Sequence, residues 1–197
     1  MRYQPKDAYH RRARREHYRS RAAYKLIELQ RRYRILRTGD AAIDLGAAPG
    51  AWLQVAAAIV GPRGKVVGID LEAIAPLPES NVECLRGDVL DPAVRERALA
   101  ALGRPPSAIL SDMSPKLTGV RPRDEARAAE LIAAALDFAT STLAGGGRLV
   151  VKVIAGVEAA PIAAAVRGRF ESVKFTRPDA TRKGSTESYL VAVGFRS

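Results

Sequence analysis

The chain has 197 residues, 47% of them hydrophobic, with 32 Lys and Arg against 21 Asp and Glu and a formal net charge of +11. That apolar share supports a full core and excludes a disordered chain, while no apolar run reaches the roughly 18–20 residues that span a bilayer. A single cysteine, Cys84, excludes an internal disulfide framework, and with only His10 and His17 beside it no metal site is expected. Met1 to Arg21 lacks the apolar core of a signal peptide, so a cytoplasmic protein with no membrane attachment is expected.

The charge is unevenly placed. Residues 1–38 hold thirteen Lys and Arg against Asp7, Glu16 and Glu28, a net of +10, which leaves +1 on the other 159 residues. Such asymmetry points to a polyanion, either nucleic acid or an anionic surface, with a solvated arm of no particular role as the plain alternative. Residues 1–18 show no sustained periodicity and read as a partly ordered basic arm, with a single domain over 19–197. Within that domain, a helix is predicted over 20–37, where Ala22, Leu26, Leu29, Tyr33 and Leu36 form one apolar stripe. At about 100° per residue, Lys25 falls roughly 60° from the centre of that stripe, at the edge of the buried face.

Strand and helix patterns alternate from there. Strands are predicted at Ala41–Leu45, Lys65–Asp70, Val82–Arg86, Ala108–Asp112, Arg148–Val153, Ser172–Thr176 and Ser188–Phe195. Helices are predicted near Ala51–Val60, Pro92–Leu102, Asp124–Leu143 and Ala159–Arg167. Apolar strands alternating with helices indicate an α/β fold, a seven-stranded, mostly parallel sheet covered on both faces. Only the turn-rich Arg177–Thr186 separates the last two strands, so the last strand is expected to run antiparallel.

Ligands of open α/β sheets bind beyond the carboxyl ends of the strands. The first strand is followed by Gly46-Ala47-Ala48-Pro49-Gly50-Ala51-Trp52, a small-residue turn with neither the G-x-G-x-x-G dinucleotide fingerprint nor the Lys-Ser/Thr of a P-loop. Such a turn suits a nucleoside ligand with an amino-acid end, and S-adenosylmethionine is the candidate. Asp70 ends the second strand, where a carboxylate accepts both hydroxyls of a ribose, and Asp88 follows the third, where one holds an adenine amino group. Asp112 stands at the carboxyl end of the fourth strand. Lys152 stands alone in an apolar fifth strand, which requires that it be paired or turned into a cleft. Glu187 precedes the last strand, so Asp112, Lys152 and Glu187 converge on one rim that Lys25 reaches from the flanking helix.

The segments Ser20-Arg21-Ala22-Ala23-Tyr24-Lys25-Leu26, Asp44-Leu45-Gly46-Ala47-Ala48-Pro49-Gly50, Ser111-Asp112-Met113-Ser114-Pro115, Val151-Lys152-Val153 and Ser185-Thr186-Glu187-Ser188-Tyr189 resemble the FtsJ (RrmJ/RlmE) family of RNA ribose 2′-O-methyltransferases. The resemblance runs from about residue 18 to the carboxyl terminus. It implies a Rossmann-like class I S-adenosylmethionine-dependent methyltransferase fold. It also implies a catalytic set of Lys25, Asp112, Lys152 and Glu187, and cofactor contacts at Gly50, Trp52, Asp70, Asp88 and Asp112. By the same resemblance the substrate is a uridine of large-subunit ribosomal RNA, free or within the subunit, held by the basic amino-terminal residues of a monomer. Transfer RNA is the nearest alternative substrate, and a non-catalytic RNA-binding module is the alternative outside enzymes. Lys152 is either the base that takes the hydroxyl proton or the group that orients the hydroxyl. Ala51, Lys116 and Ile154 depart from residues frequent in the family, which are glycine, asparagine and an aromatic.

Overall fold

The strands β1 (Ala41–Leu45), β2 (Lys65–Asp70), β3 (Val82–Arg86), β4 (Ala108–Ser111), β5 (Arg148–Val153), β6 (Phe170–Thr176) and β7 (Ser188–Phe195) form one sheet in the order β3-β2-β1-β4-β5-β7-β6. The first five are parallel, and β7 enters antiparallel between β5 and β6. The structure is a computed structural model that describes residues 8–116, 118–154, 159–182, 184–185 and 187–196. Strand order reverses between β1 and β4, which opens a crevice at their carboxyl ends.

Six helices of the described residues flank the sheet: α1 (Ala8–Arg15), α2 (Ala23–Tyr33), α3 (Ala51–Val60), α4 (Pro92–Leu102), α5 (Arg121–Thr142) and α6 (Ala159–Val166). Side chains alternate across a strand, so each strand feeds two cores. Ile43, Leu45, Ile109, Leu149, Val151, Leu190 and Ala192 pack with α4, α5 and α6. Ala42, Ala108, Leu110, Val150, Tyr189 and Val191 pack with α2 and α3. The same period of two puts Asp44 and Lys152 on the α2/α3 side, and Lys152 lies directly opposite Tyr189 in the β5–β7 register. No helix among the described residues is long and apolar enough to cross a membrane.

Several boundaries differ from the predicted ones. α2 stops at Tyr33 because Arg34 takes a left-handed conformation (φ 51°), and its N–H closes on the Gln30 carbonyl. The Gln30 amide then exchanges two hydrogen bonds of 2.8 Å with the Leu36 backbone. Leu36 is therefore buried from the irregular segment after the helix, and its helical spacing is coincidental. α5 starts three residues early, with Pro122 in its first turn, because Asp124 accepts hydrogen bonds from Thr118 and Gly119 and shapes the preceding loop.

The largest difference lies in the segment read as an arm over 1–18. Residues 1–7, with Arg2 and Lys6, lie outside the described residues, but Ala8–Arg15 is a helix docked on the domain. Ala13 is buried with Tyr24 and Ala180, and the Tyr9 and Tyr18 rings lie 5.5 and 5.7 Å from that of Tyr24. Arg12 stacks on Tyr24 at 4.7 Å while pairing with Glu16, which also accepts the Tyr24 hydroxyl at 2.9 Å. Burial, then the Glu16 hydrogen bond, pushes the Tyr24 hydroxyl up to about 12. Tyr9 and Ala13, four residues apart, anchor this helix, but eight residues are too short a run for that one repeat to stand out among the arginines.

Candidate active site and cofactor cleft

Three strand ends and one helix bring charged side chains together at the crevice. Lys152, 6% exposed on β5, places its Nζ 3.1 Å from Asp112 Oδ1 and also donates to the Asp112 carbonyl. Lys25 reaches in from α2, with its Nζ 2.6 Å from Glu187 Oε1 and 3.8 Å from Asp112 Oδ1. The structure thus brings together all four residues expected to form the catalytic set, two lysines interleaved with two carboxylates. Unpaired, either lysine would be costly in so little water; paired, they leave the cluster neutral.

A fifth member had no role in the sequence reading. The Tyr189 hydroxyl donates to Asp112 Oδ1 at 2.6 Å, and Lys25 Nζ sits 5.7 Å from the centre of its ring. The signal was present: Glu187 and Tyr189 are two residues apart at the start of a strand and so share a face. Thr186, between Glu187 and the preceding turn, lies outside the described residues.

Beside this cluster lies an open cleft of about 730 Å³, within the roughly 300–1,000 Å³ usual for small-molecule sites. Asp70, Asp88 and Asp112 line it, together with Gly46 and Ala48 of the small-residue turn. A side chain at Gly46 would put its Cβ 2.6 Å from the Met113 side chain, so the turn works only with glycine there. Asp70 accepts the Ala48 and Glu72 N–H groups, each at 2.8 Å, which locks the turn to the end of β2. Each Asp70 oxygen retains a lone pair for a ligand hydroxyl. Asp88 turns one oxygen to the Leu90 N–H at 2.9 Å. Lys116 and Arg127 add positive charge to the outer wall. Acids at successive strand ends and a glycine-floored turn fit the ribose, adenine and amino-acid parts of S-adenosylmethionine.

The other two residues expected to contact the cofactor, Gly50 and Trp52, contribute no side chain to the cleft. Gly50 caps α3 with φ 106° and is covered by the Arg19 side chain, while Trp52 is buried in the α2/α3 core. The Trp52 indole donates to the Ala22 carbonyl at 2.8 Å, and its ring lies 5.9 Å from that of Tyr189. Trp52 thus ties α3 to the start of α2 behind the lysine–carboxylate cluster, and neither residue is part of the cleft wall.

A second feature without a predicted role is Asp44 on β1. It is fully buried, and neither carboxylate oxygen has a hydrogen-bond partner among the described residues. Burial foremost, and then the negative charges of Asp112 and Asp70, raises its carboxyl well above the ordinary aspartate range. An acid in the otherwise apolar run Ala41-Ala42-Ile43-Asp44-Leu45 is the same kind of anomaly as Lys152 and was available to the eye.

The sequence model of the family described as FtsJ-like methyltransferase matches residues 18–195. Ribosomal RNA large subunit methyltransferase E of Syntrophobacter fumaroxidans is 45% identical over 196 residues, covering 100% of this chain and 99% of that protein. The protein of the same name from Methanothermobacter thermautotrophicus is 39% identical over 191 residues, covering 97% and 90%. Among solved structures, a Plasmodium falciparum chain described as a ribosomal RNA methyltransferase superposes with a TM-score of 0.77 at 29% identity, covering 90% of this chain and 98% of that one. Aeropyrum pernix fibrillarin, solved with natively bound S-adenosyl-L-methionine, shares the fold at a TM-score of 0.61 and 20% identity, covering 87% and 76%. By sequence and by fold, the chain belongs to the FtsJ-like methyltransferase family.

Proposed function

We propose that the protein methylates ribosomal RNA with S-adenosylmethionine, at a ribose 2′-hydroxyl, with a uridine of the large subunit as the substrate. The observation that carries the reading is the meeting of Lys25, Asp112, Lys152 and Glu187 at the end of the cleft. The relatives named above act on large-subunit ribosomal RNA by their names, which favours that substrate over transfer RNA.

The cofactor supplies a methyl group activated on a sulfonium. Asp70 and Asp88 would hold its ribose and adenine, and Gly46 and Ala48 would leave room for its amino-acid end. Lys152 donates to the Asp112 carbonyl and pairs with Asp112 Oδ1, which leaves its remaining position, an N–H in the ammonium or a lone pair in the neutral amine, for the ribose hydroxyl. In that place Lys152 orients the hydroxyl and stabilises the negative charge that develops as the proton departs, or takes the proton itself. Asp112 fixes the Lys152 amine, and Lys25 with Glu187 positions the ribose.

The test is transfer from labelled S-adenosylmethionine to purified ribosomal RNA, large subunits and transfer RNA, followed by mapping of alkali-resistant linkages. Label in one large-subunit uridine ribose is the expected result. Label on a base, or in transfer RNA alone, would overturn the substrate assignment, and cofactor binding without transfer would favour an RNA-binding module.

A further inference from the structure

Arg19 belongs by sequence to the basic amino-terminal segment, where a side chain counts as one more phosphate contact. Its guanidinium is instead consumed by backbone carbonyls. Nη1 donates to Pro49 at 2.9 Å and to Ala75 at 2.6 Å, and Nη2 donates to Pro76 at 2.6 Å. Its own N–H donates to the Gln54 side chain at 2.9 Å, and the Gln54 amide returns to the His17 carbonyl at 3.1 Å.

The carbonyls belong to two loops that flank the cleft. The 46–50 turn supplies Gly46 and Ala48 to the cleft wall, and the segment after β2 supplies Leu71 and Glu72 before reaching Ala75 and Pro76. Asp70 joins the same two loops on the cleft side through the Ala48 and Glu72 N–H groups. Arg19, which does not line the cleft, joins them through their carbonyls. A carboxylate taking N–H donors from both loops and a guanidinium taking carbonyl acceptors from both form a two-point clasp. Gly50 shows how closely it fits: a Cβ there would lie 2.9 Å from Arg19 Nη1 and 3.2 Å from its Cδ.

We propose that Arg19 is a positioning residue for the cofactor, acting by clasping these two loops so that the cleft is formed before S-adenosylmethionine arrives. The inference rests on the cleft being the cofactor site. Because Gln54 fixes both Arg19 and the chain leaving α1, the seating of the basic helix and cofactor affinity are linked, and by linkage the effect is reciprocal. Lysine cannot replace the planar fork that serves three carbonyls in different directions.

The experiment titrates S-adenosylmethionine calorimetrically into the full chain and its Arg19→Gln and Arg19→Lys variants, alongside thermal melts, steady-state kinetics and the salt dependence of RNA binding. Both variants are expected to weaken cofactor binding by about tenfold, as loss of charge-assisted hydrogen bonds implies. The loss should fall on KM for the cofactor more than on kcat, with the salt slope of RNA binding unchanged. A folded Arg19→Gln protein with wild-type cofactor affinity overturns the proposal, as does a reduced salt slope with cofactor affinity intact. Should Arg19→Gln fail to fold, Gln54→Ala decides the matter: a several-fold loss of cofactor affinity supports the clasp, and an unchanged value overturns it. Failure of the wild-type chain to bind S-adenosylmethionine would instead remove the underlying reading of the cleft.

Discussion

Tyr189 donates its hydroxyl to Oδ1 of Asp112 at 2.6 Å, the same oxygen that the Lys152 amine approaches at 3.1 Å. One carboxylate oxygen therefore takes a buried phenol and a lysine together, and the phenol fixes the direction in which the carboxylate faces the lysine. Burial, then the charge of Asp112, raises the Tyr189 hydroxyl well above its ordinary value, so it remains a donor at neutral pH. Tyr189→Phe should fold, at a cost of about 1 kcal/mol for one hydrogen bond. Because the reacting groups are then less well aligned, kcat should fall by about tenfold or more while cofactor affinity holds. Single-turnover transfer checks this, and an unchanged rate would make the contact dispensable.

Lys152→Ala should retain cofactor binding and lose methyl transfer by about 10²-fold or more, the scale of a lost acid–base or charge-stabilising group. Normal turnover would take Lys152 out of the mechanism. The pH profile of the wild-type rate separates its two roles. A base must enter uncharged, so the rate would climb by about tenfold per pH unit for as long as the protonated form predominates. An orienting ammonium would leave the profile flat there.

The stability of the cofactor-free chain should carry the imprint of Asp44. Its folded carboxyl is raised above the unfolded value of about 3.9, so between those two values the folded state binds more protons than the unfolded one. Stability from this group is thus present in acid and is lost as pH rises through the window. Asp44→Asn removes that loss. The melting temperature of the variant relative to wild type should be lowest near pH 4 and increase towards pH 8. A difference that stays constant, or that shrinks with pH, would show that Asp44 does not titrate abnormally.

RNA affinity should lose salt sensitivity when exposed arginines of α1 are neutralised. Arg14 and Arg15 lie on the solvent side of the docked helix. Arg14→Gln with Arg15→Gln should lower the slope of log affinity against log salt by about 0.7 for each single-strand phosphate contact removed. Calorimetry should find cofactor affinity unaltered. A slope equal to wild type would refute the role of this helix in holding the RNA backbone.

Strand positions and the sheet's mostly parallel character were legible in the sequence, because alternating apolar runs and turn residues are local signals. β1, β2, β3, β5 and β7 begin and end where the patterns place them. The convergence of Asp112, Lys152 and Glu187 was legible too, since in this topology every parallel strand end and the start of an antiparallel last strand share one rim. Tyr189 and Asp44 were visible as residues but not as participants, because their roles depend on a neighbour in another strand.

By itself the sequence determined that nearly all the excess charge lies in residues 1–38 and that Lys25 edges a buried helical face. Only the tertiary structure decided what each of those charges meets. Lys25 pairs with Glu187, Arg12 with Glu16, and Arg19 with three carbonyls located 30, 56 and 57 residues away. Periodicity records how a side chain points from its own helix or strand. Hydrogen bonds to distant backbone have no period, so an arginine that clasps two loops and one that faces solvent look alike until the chain is folded.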